Sequence, residues 1–373
     1  MKGHIRERSP GKWAIVIDAR DPQTGERKRR WHSFSGTKRQ AQVECARLIA
    51  AQEHGAAVEP SRMSVADFAT ARIDQWESAG DITARTAARY RSLVKNQVVP
   101  HIGAKPLQKL SRLDVEGWHT ALRANVSART IGHAHRLLAK SLSDAERDGL
   151  VVKNVFRVQR APRVVETDMT IVQDVPAFIA LLREHPGRLC TLGIVALSTG
   201  LRLSEALALR ERSVDLGRGV IEVREALEET TAHGIRFKTP KSKAGRRNVT
   251  LPAIAAEALR EHRLQLLEVR LQLGQGKLGP DDLLFASVNG GPLRPSAISG
   301  DWGALAKRIG MPDITFHALR HTHASQMIAG GLDIVTLSRR LGHGKPDVTL
   351  RVYSHMFHPD DSRAAAIVDA AIG

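Results

Sequence analysis

Hydrophobic and polar residues follow two different periods along this chain, and the change of period divides it. Trp13 to Ile17 is a short β-rich run, Asp21-Pro22-Gln23-Thr24-Gly25 has the Asp, Pro and Gly of a turn, and Lys28 to Phe34 can return as a second strand. Thr37 with Gln40 makes a capping-box pattern ahead of a helix at about 39–52. A polar stretch then breaks the pattern and predicts a linker near 56–62. Residues 63–160 read as nearly all helix. Ser64 caps a helix to about Trp76, and Thr83 or Thr86 opens another that ends before Pro100, with Tyr90, Leu93 and Val94 at helical spacing. Residues 98–103 read as a turn. Ser111 caps 113–122, Ser127 caps 128–148, and a basic, extended linker follows at 154–166. Beyond Thr170, helices are expected at 174–184 and 188–198. Gly200 stops the second, and a third starts at Leu203. Residues 219–224, 235–238 and 247–251 predict a three-stranded sheet. Helices then dominate, at 253–273, 295–308, 315–329, 333–341 and 346–353. The fold class is α+β and mostly helical. It comprises a small β-plus-helix module at 1–57, a helical domain at 63–160, and a mixed domain with a small antiparallel sheet at 168–373.

At 373 residues the chain is long enough for two or three cores. The formal net charge of +17 changes the picture, because it points to a polyanionic partner. Residues 1–60 carry 12 Lys+Arg against 7 Asp+Glu, residues 61–165 carry 18 against 9, and residues 166–373 carry 26 against 23. The first 165 residues therefore hold +14 of the +17, which assigns them most of the grip and leaves the chemistry to the remainder. Arg85, Arg89, Arg91, Lys95, Arg129 and Arg136 are candidates for phosphate contacts. The two cysteines, Cys45 and Cys190, make neither a disulfide framework nor a metal cluster. No apolar run reaches about 18 residues, so no membrane span is expected. The opening MKGHIRERSPGKW has no apolar secretory core, and a reducing cytoplasm is the expected setting.

Six residues can be read as one phosphate-handling site: Arg202, Lys241, His317, Arg320, His343 and Tyr353. Two guanidiniums suit the two non-bridging oxygens of a phosphodiester. A phenol can act as nucleophile, with nearby cations lowering the cost of ionising it. The chain has only two tyrosines, Tyr90 and Tyr353, and Tyr90 reads as a core aromatic. His317 and Arg320 lie three apart, one helical step, and so face one way. His317 and His321 are spaced like two zinc ligands, but Ala318 stands where that motif needs a glutamate, so no metal is expected. His321 and His323 read as structural or solvent-facing. Between Lys238 and Leu251 three lysines compete. Counting back from Arg247 and Val249 favours Lys241, with Lys243 as its rival.

Set in order, the segments are Thr199-Gly200-Leu201-Arg202-Leu203-Ser204-Glu205, Pro240-Lys241-Ser242-Lys243, His317-Ala318-Leu319-Arg320, Leu341-Gly342-His343 and Tyr353, with the last two ten apart (353 − 343 = 10). This resembles the tyrosine recombinase, or phage integrase, family: sharply over 198–353, loosely over 1–165. The resemblance implies that Tyr353 attacks a phosphodiester to form a 3′-phosphotyrosine and free a 5′-hydroxyl, with no cofactor. It implies that Arg202 and Arg320 clamp the phosphate, that Glu205 orients Arg202, and that His317 assists proton transfer. His343 would donate to the phosphate, and Lys241 would protonate the leaving oxygen. It further implies an arm-type DNA-binding module at 1–57, a core-binding domain at 63–160 and a homo-tetramer on two double-stranded attachment sites. DNA-bending accessory proteins are possible partners. Residues 361–372 form an amphipathic run that either packs on its own domain or docks in trans, the second being favoured. Two rivals stand beside this reading, a type IB topoisomerase-like enzyme and a catalytically silent DNA-binding protein.

Overall fold

The computed structural model describes residues 3–20, 27–53, 61–164, 169–230, 234–239, 245–356 and 361–372. The chain falls into two compact units, Met1–Glu166 and Thr167–Gly373.

The first unit opens on an antiparallel sheet, β1 (Gly3–Ser9), β2 (Lys12–Arg20) and β3 (Arg27–Ser35), followed by α1 (Lys38–Glu53). The expected turn at 21–25 lies outside the described residues. Strand β1 was not predicted, since GHIRERS has a single apolar residue, Ile5, for a period of two to act on. Ile15 and Ile17 face α1 and pack with Cys45, Leu48 and Ile49. The register puts His4 and Trp31 beside Val16, and Arg6 and Ser33 beside Ala14, on the opposite face. Thr37 and Gln40 exchange the expected capping bonds.

Five helices carry the rest of the unit: α2 (Val65–Ser78), α3 (Ala84–Leu93), α4 (Arg112–Arg123), α5 (Ala128–Arg147) and α6 (Val155–Val158). Ser64, Thr83, Ser111 and Ser127 each accept from the backbone N–H three residues further on, as their positions predict. Two expectations fail here. Pro100 does not end a helix, because the chain continues from α3 into a wider π-helical stretch, Val94–Gly103, that contains it. Nor does an extended linker begin at 154. The Asn154 side chain caps α6, and Phe156 is buried edge-on to Trp118 and His135.

In the second unit α7 (Val175–Arg183) packs on α8 (Arg188–Thr199), which is buried on almost every side between α10 (Ala253–Gln272) and α12 (Phe316–Ala329). A short α9 (Leu203–Ala206) follows, then β4 (Val214–Asp215), β5 (Val220–Val223), β6 (Ala226–Thr230), β7 (Gly234–Lys238) and β8 (Arg247–Thr250). The single predicted sheet is two. β5 lies between β4 and β8, whereas residues 235–238 leave that sheet and pair with β6. β6 escaped prediction because two glutamates occupy its centre. The remaining helices are α11 (Pro295–Arg308), α13 (Ile334–Leu341), α14 (Pro346–Tyr353) and α15 (Asp361–Ile372). Among the described residues no helix is long and apolar enough to cross a membrane.

Candidate active site

Two left-handed glycines build the site. α8 ends on Gly200 (φ 70°) and α13 ends on Gly342 (φ 69°), a conformation other residues rarely adopt. Space forbids a side chain at either position. A Cβ on Gly200 would stand 2.7 Å from the His323 ring, and one on Gly342 would stand 2.6 Å from Arg247 Nη1. Each turn releases one candidate residue: Arg202 two positions after the first glycine, His343 directly after the second.

Arg320 joins the two turns. Its side chain rises from α12 and is 2% exposed. Nη1 donates to the Gly200 carbonyl at 2.6 Å, and Nη2 donates to the Leu341 carbonyl and to His343 Nε2, each at 2.8 Å. A guanidinium has only protons to offer, so His343 Nε2 carries the lone pair and Nδ1–H donates to Thr349 Oγ1 at 2.7 Å. Thr349 lies on α14, one turn before Tyr353, so the second glycine turn is also tied to the tyrosine helix. Free of DNA, then, His343 offers Nε2 to Arg320 and has no ring proton left for a phosphate.

Arg202 precedes α9 and is fixed by Glu205. Its backbone N–H donates to Glu205 Oε2 at 3.1 Å and its Nη1 to Oε1 at 2.7 Å. The buried Glu205 carboxylate also receives Arg247 Nη2 at 2.9 Å and Nη1 at 3.3 Å, while Arg247 Nε donates to the Arg340 carbonyl at 2.7 Å. Burial alone would raise the Glu205 pKa, but Arg247 and then Arg202 outweigh it and hold the carboxyl at about 2. Burial, with Arg202 adding, pushes Arg320 down to about 9, so it stays charged at neutral pH. Arg202 and Arg247 thus pair with one carboxylate, with Arg320 close enough to feel its charge.

Tyr353 is 1% exposed and packs among Ala324, Ile328, Leu337 and Leu341. Burial raises its pKa above the ordinary phenol value, with Arg320 and Arg202 pulling the other way. Its hydroxyl lies 2.9 Å from His321 Nδ1.

Of the six residues read from sequence, contacts bring Arg202, Arg320 and His343 together, with Tyr353 on the helix that Thr349 anchors. His317 lies at the surface of the same helix as Arg320, its ring edge-on to His321 at 4.6 Å. His317 is exposed where Arg320 is buried, yet it stays near enough to Arg320 and Arg202 for both to lower its pKa after burial. Lys241 and Lys243 lie outside the described residues. His323 is structural as read: Nδ1–H donates to the Leu197 carbonyl at 3.0 Å, and Nε2 accepts from Arg340 at 3.0 Å. His321 is half-buried, and its Nδ1 meets the tyrosine hydroxyl. Arg247 entered the sequence reading only as a marker for counting. Its arginine-before-strand position was the available signal.

Paired guanidiniums, histidines and a phenol gathered in this way suit the handling of a phosphodiester. The phage integrase family profile matches residues 172–358, half of the chain, and the chain belongs to that family. It is a tyrosine-type site-specific recombinase, which breaks and rejoins DNA strands. The chain is 26% identical over 295 residues to a putative prophage phiRv2 integrase of Mycobacterium tuberculosis, covering 79% of this chain and 76% of that one. A Tn1549 transposon integrase in complex with a circular intermediate DNA matches with a TM-score of 0.68 at 22% identity, over 83% of this chain and 99% of that one. A lambda integrase tetramer bound to a Holliday junction matches with a TM-score of 0.56 at 17% identity, over 92% and 96%. At those identities the two structures establish the fold.

Proposed function

We propose that Tyr353 is the nucleophile of a mobile-element integrase, and that Arg202 and Arg320 clamp the scissile phosphate beside it. The observation that carries this reading is the set of three bonds from Arg320, which fixes the turns bearing Arg202 and His343 in one place. The excess of guanidiniums around Glu205 suits an incoming phosphodiester and the charge that grows on it at the transition state. His317 assists proton transfer from the surface of α12. His343 donates to the phosphate from Nε2 once the phosphate draws Arg320 away and the ring changes tautomer, Nδ1 then accepting from the Thr349 hydroxyl. Lys241, or Lys243 in its place, protonates the 5′ oxygen.

The first unit grips the DNA. Residues 1–57 form an arm-type module, and the sheet face away from α1 supports this. His4, Arg6 and a 55%-exposed Trp31 lie there, with the Arg8 guanidinium 5.8 Å from the centre of the Trp31 ring. Residues 63–160 clamp the core site. Four protomers hold two duplexes, as the lambda integrase tetramer does its Holliday junction. In this reading α15 docks in trans, which the exposure of Val368 and Ile372 supports. The setting is the bacterial nucleoid, with DNA-bending proteins as accessory partners.

Covalent trapping tests the central assignment. The protein, and Tyr353→Phe beside it, would be incubated in EDTA with a nicked suicide duplex drawn from the DNA flanking its gene. A denaturant-resistant adduct from the wild type alone is expected. Binding without an adduct would overturn the assignment of Tyr353.

A further inference from the structure

A buried phenol that attacks phosphorus must lose its proton to something other than bulk water. The groups around Tyr353 can be sorted by whether they can take it. Arg202 and Arg320 only donate. The lone pair of His343 accepts from Arg320, and that of His323 accepts from Arg340. Glu205 is occupied by Arg247 and Arg202. His321 remains. It follows Arg320 on α12, and its Nδ1 lies 2.9 Å from Tyr353 Oη, a hydrogen bond with the tyrosine ring tilted 61° to the imidazole. His317 packs against the same imidazole at 4.6 Å between ring centres.

We infer that His321 accepts the proton of Tyr353 during strand cleavage, a role that rests on Tyr353 being the nucleophile. As the Tyr353 oxygen forms its bond to phosphorus, the bond from phosphorus to the 5′ oxygen breaks. The phenolic proton passes to His321 Nδ1, and the 5′ oxygen takes a proton from the lysine general acid. Religation runs the same transfers backwards, so His321 returns its proton to the departing tyrosine. The charged and titratable groups facing His321 are His317 and Arg320 from its own helix and Tyr353 from α14. Burial first, then His317 and Arg320, lower its pKa to about 4, which keeps the ring neutral and able to accept at physiological pH. An arriving phosphodiester places negative charge among these groups and raises the affinity of the ring for a proton.

Two measurements on the full chain test this. Tyrosine labelled with carbon-13 at the ring carbon bearing the hydroxyl gives two signals, since only Tyr90 and Tyr353 are present, and Tyr353→Phe assigns them. His321→Phe should move the Tyr353 signal and leave that of Tyr90 in place. An unmoved signal would overturn the contact. His321→Asn keeps an acceptor near the position of Nδ1 but cannot take a proton. With DNA affinity unchanged, its single-turnover cleavage of the suicide duplex should fall about 10²-fold at pH 7. It should then recover about tenfold per pH unit towards pH 9, as hydroxide replaces the missing base. Wild-type cleavage by His321→Asn, or a deficit of the same size at every pH, sinks the proton transfer. No adduct from the wild type, with the Tyr353 signal still moved by His321→Phe, would instead sink the nucleophile reading and leave His321 a packing partner.

Discussion

The helical body at 61–164 and the site face of the second unit bury charge on opposite terms. In the helical body Asp144 is the one buried charged residue apart from histidine, among the described residues. It is fully met: Arg72 Nη2 donates to it at 2.6 Å, Trp76 Nε1 at 2.9 Å and Arg147 Nη2 at 2.7 Å. At the site, Arg247 and Arg320 are buried beside Arg202 and Arg340, and among the described residues Glu205 is the one acid ion-paired with any of them. A body built for stability closes its charges on itself. The site leaves a surplus of guanidiniums among its described residues, which a bound anion would offset. It follows that DNA should stabilise the second unit beyond the mass-action effect of surface contacts alone.

Exchanging one residue on each side can break this comparison. Arg320→Lys keeps the charge but loses the fork that reaches Gly200, Leu341 and His343. Single-turnover cleavage should fall by roughly 10²–10³, the scale of losing one preorganised donor at a transition state. Thermal melting without DNA should change little, because the charge is kept and a lysine ammonium can still donate to a backbone carbonyl there. Asp144→Asn should behave in the reverse way. It leaves Arg72 without its carboxylate inside the helical body, at about 3 kcal/mol of stability. Cleavage at saturating DNA should survive. If Arg320→Lys unfolded the chain while Asp144→Asn proved silent, the division between the two regions would collapse.

Arg247 sharpens the same point at a smaller scale. It touches neither the tyrosine nor its histidine, yet it holds Glu205 and the Arg340 carbonyl together. Arg247→Lys should lower cleavage about tenfold while leaving DNA affinity within twofold, since the positioning of Arg202 loosens without loss of charge. An unchanged cleavage rate would mean that Glu205 orients Arg202 unaided.

What could be read from sequence divides along a physical line. Caps at Ser64, Thr83, Ser111 and Ser127 were legible because a cap is a local bond within a few residues. The glycine turns and the residues they release were legible for the same reason. Strand β1 and the strand centred on Glu228 and Glu229 were not, because polar edge strands carry no alternation to detect. The burial of Phe156 was hidden by the basic residues around it. Arg247 and His321 were beyond reach for another reason. Their partners lie 42 and 32 residues away, and sequence spacing alone does not report what stands across a fold.

The smallest expected effect compares one buried histidine from each region. His119 and His323 are both almost fully buried, and burial foremost lowers each pKa to about 4, helped by His135 in one case and Arg340 in the other. Unfolded histidine titrates near 6.5, so between pH 6.5 and 4 the unfolded chain binds more protons than the native one. The stability each contributes is whole above about pH 6.5 and is lost as pH falls through about 4. Moving from pH 7 to 5 should therefore lower the opening free energies of α4 and α12, read by native-state hydrogen exchange, by on the order of 1 kcal/mol for each buried histidine. Bound DNA should separate the two. Phosphate beside Arg320 and Arg340 offsets the positive charge that keeps His323 neutral, so the acid loss in α12 should shrink. His119 shares its environment with His135 and the Phe156 carbonyl inside the helical core, so the loss in α4 should persist. Equal protection of both helices by DNA would mean that the surplus charge is not what distinguishes the site.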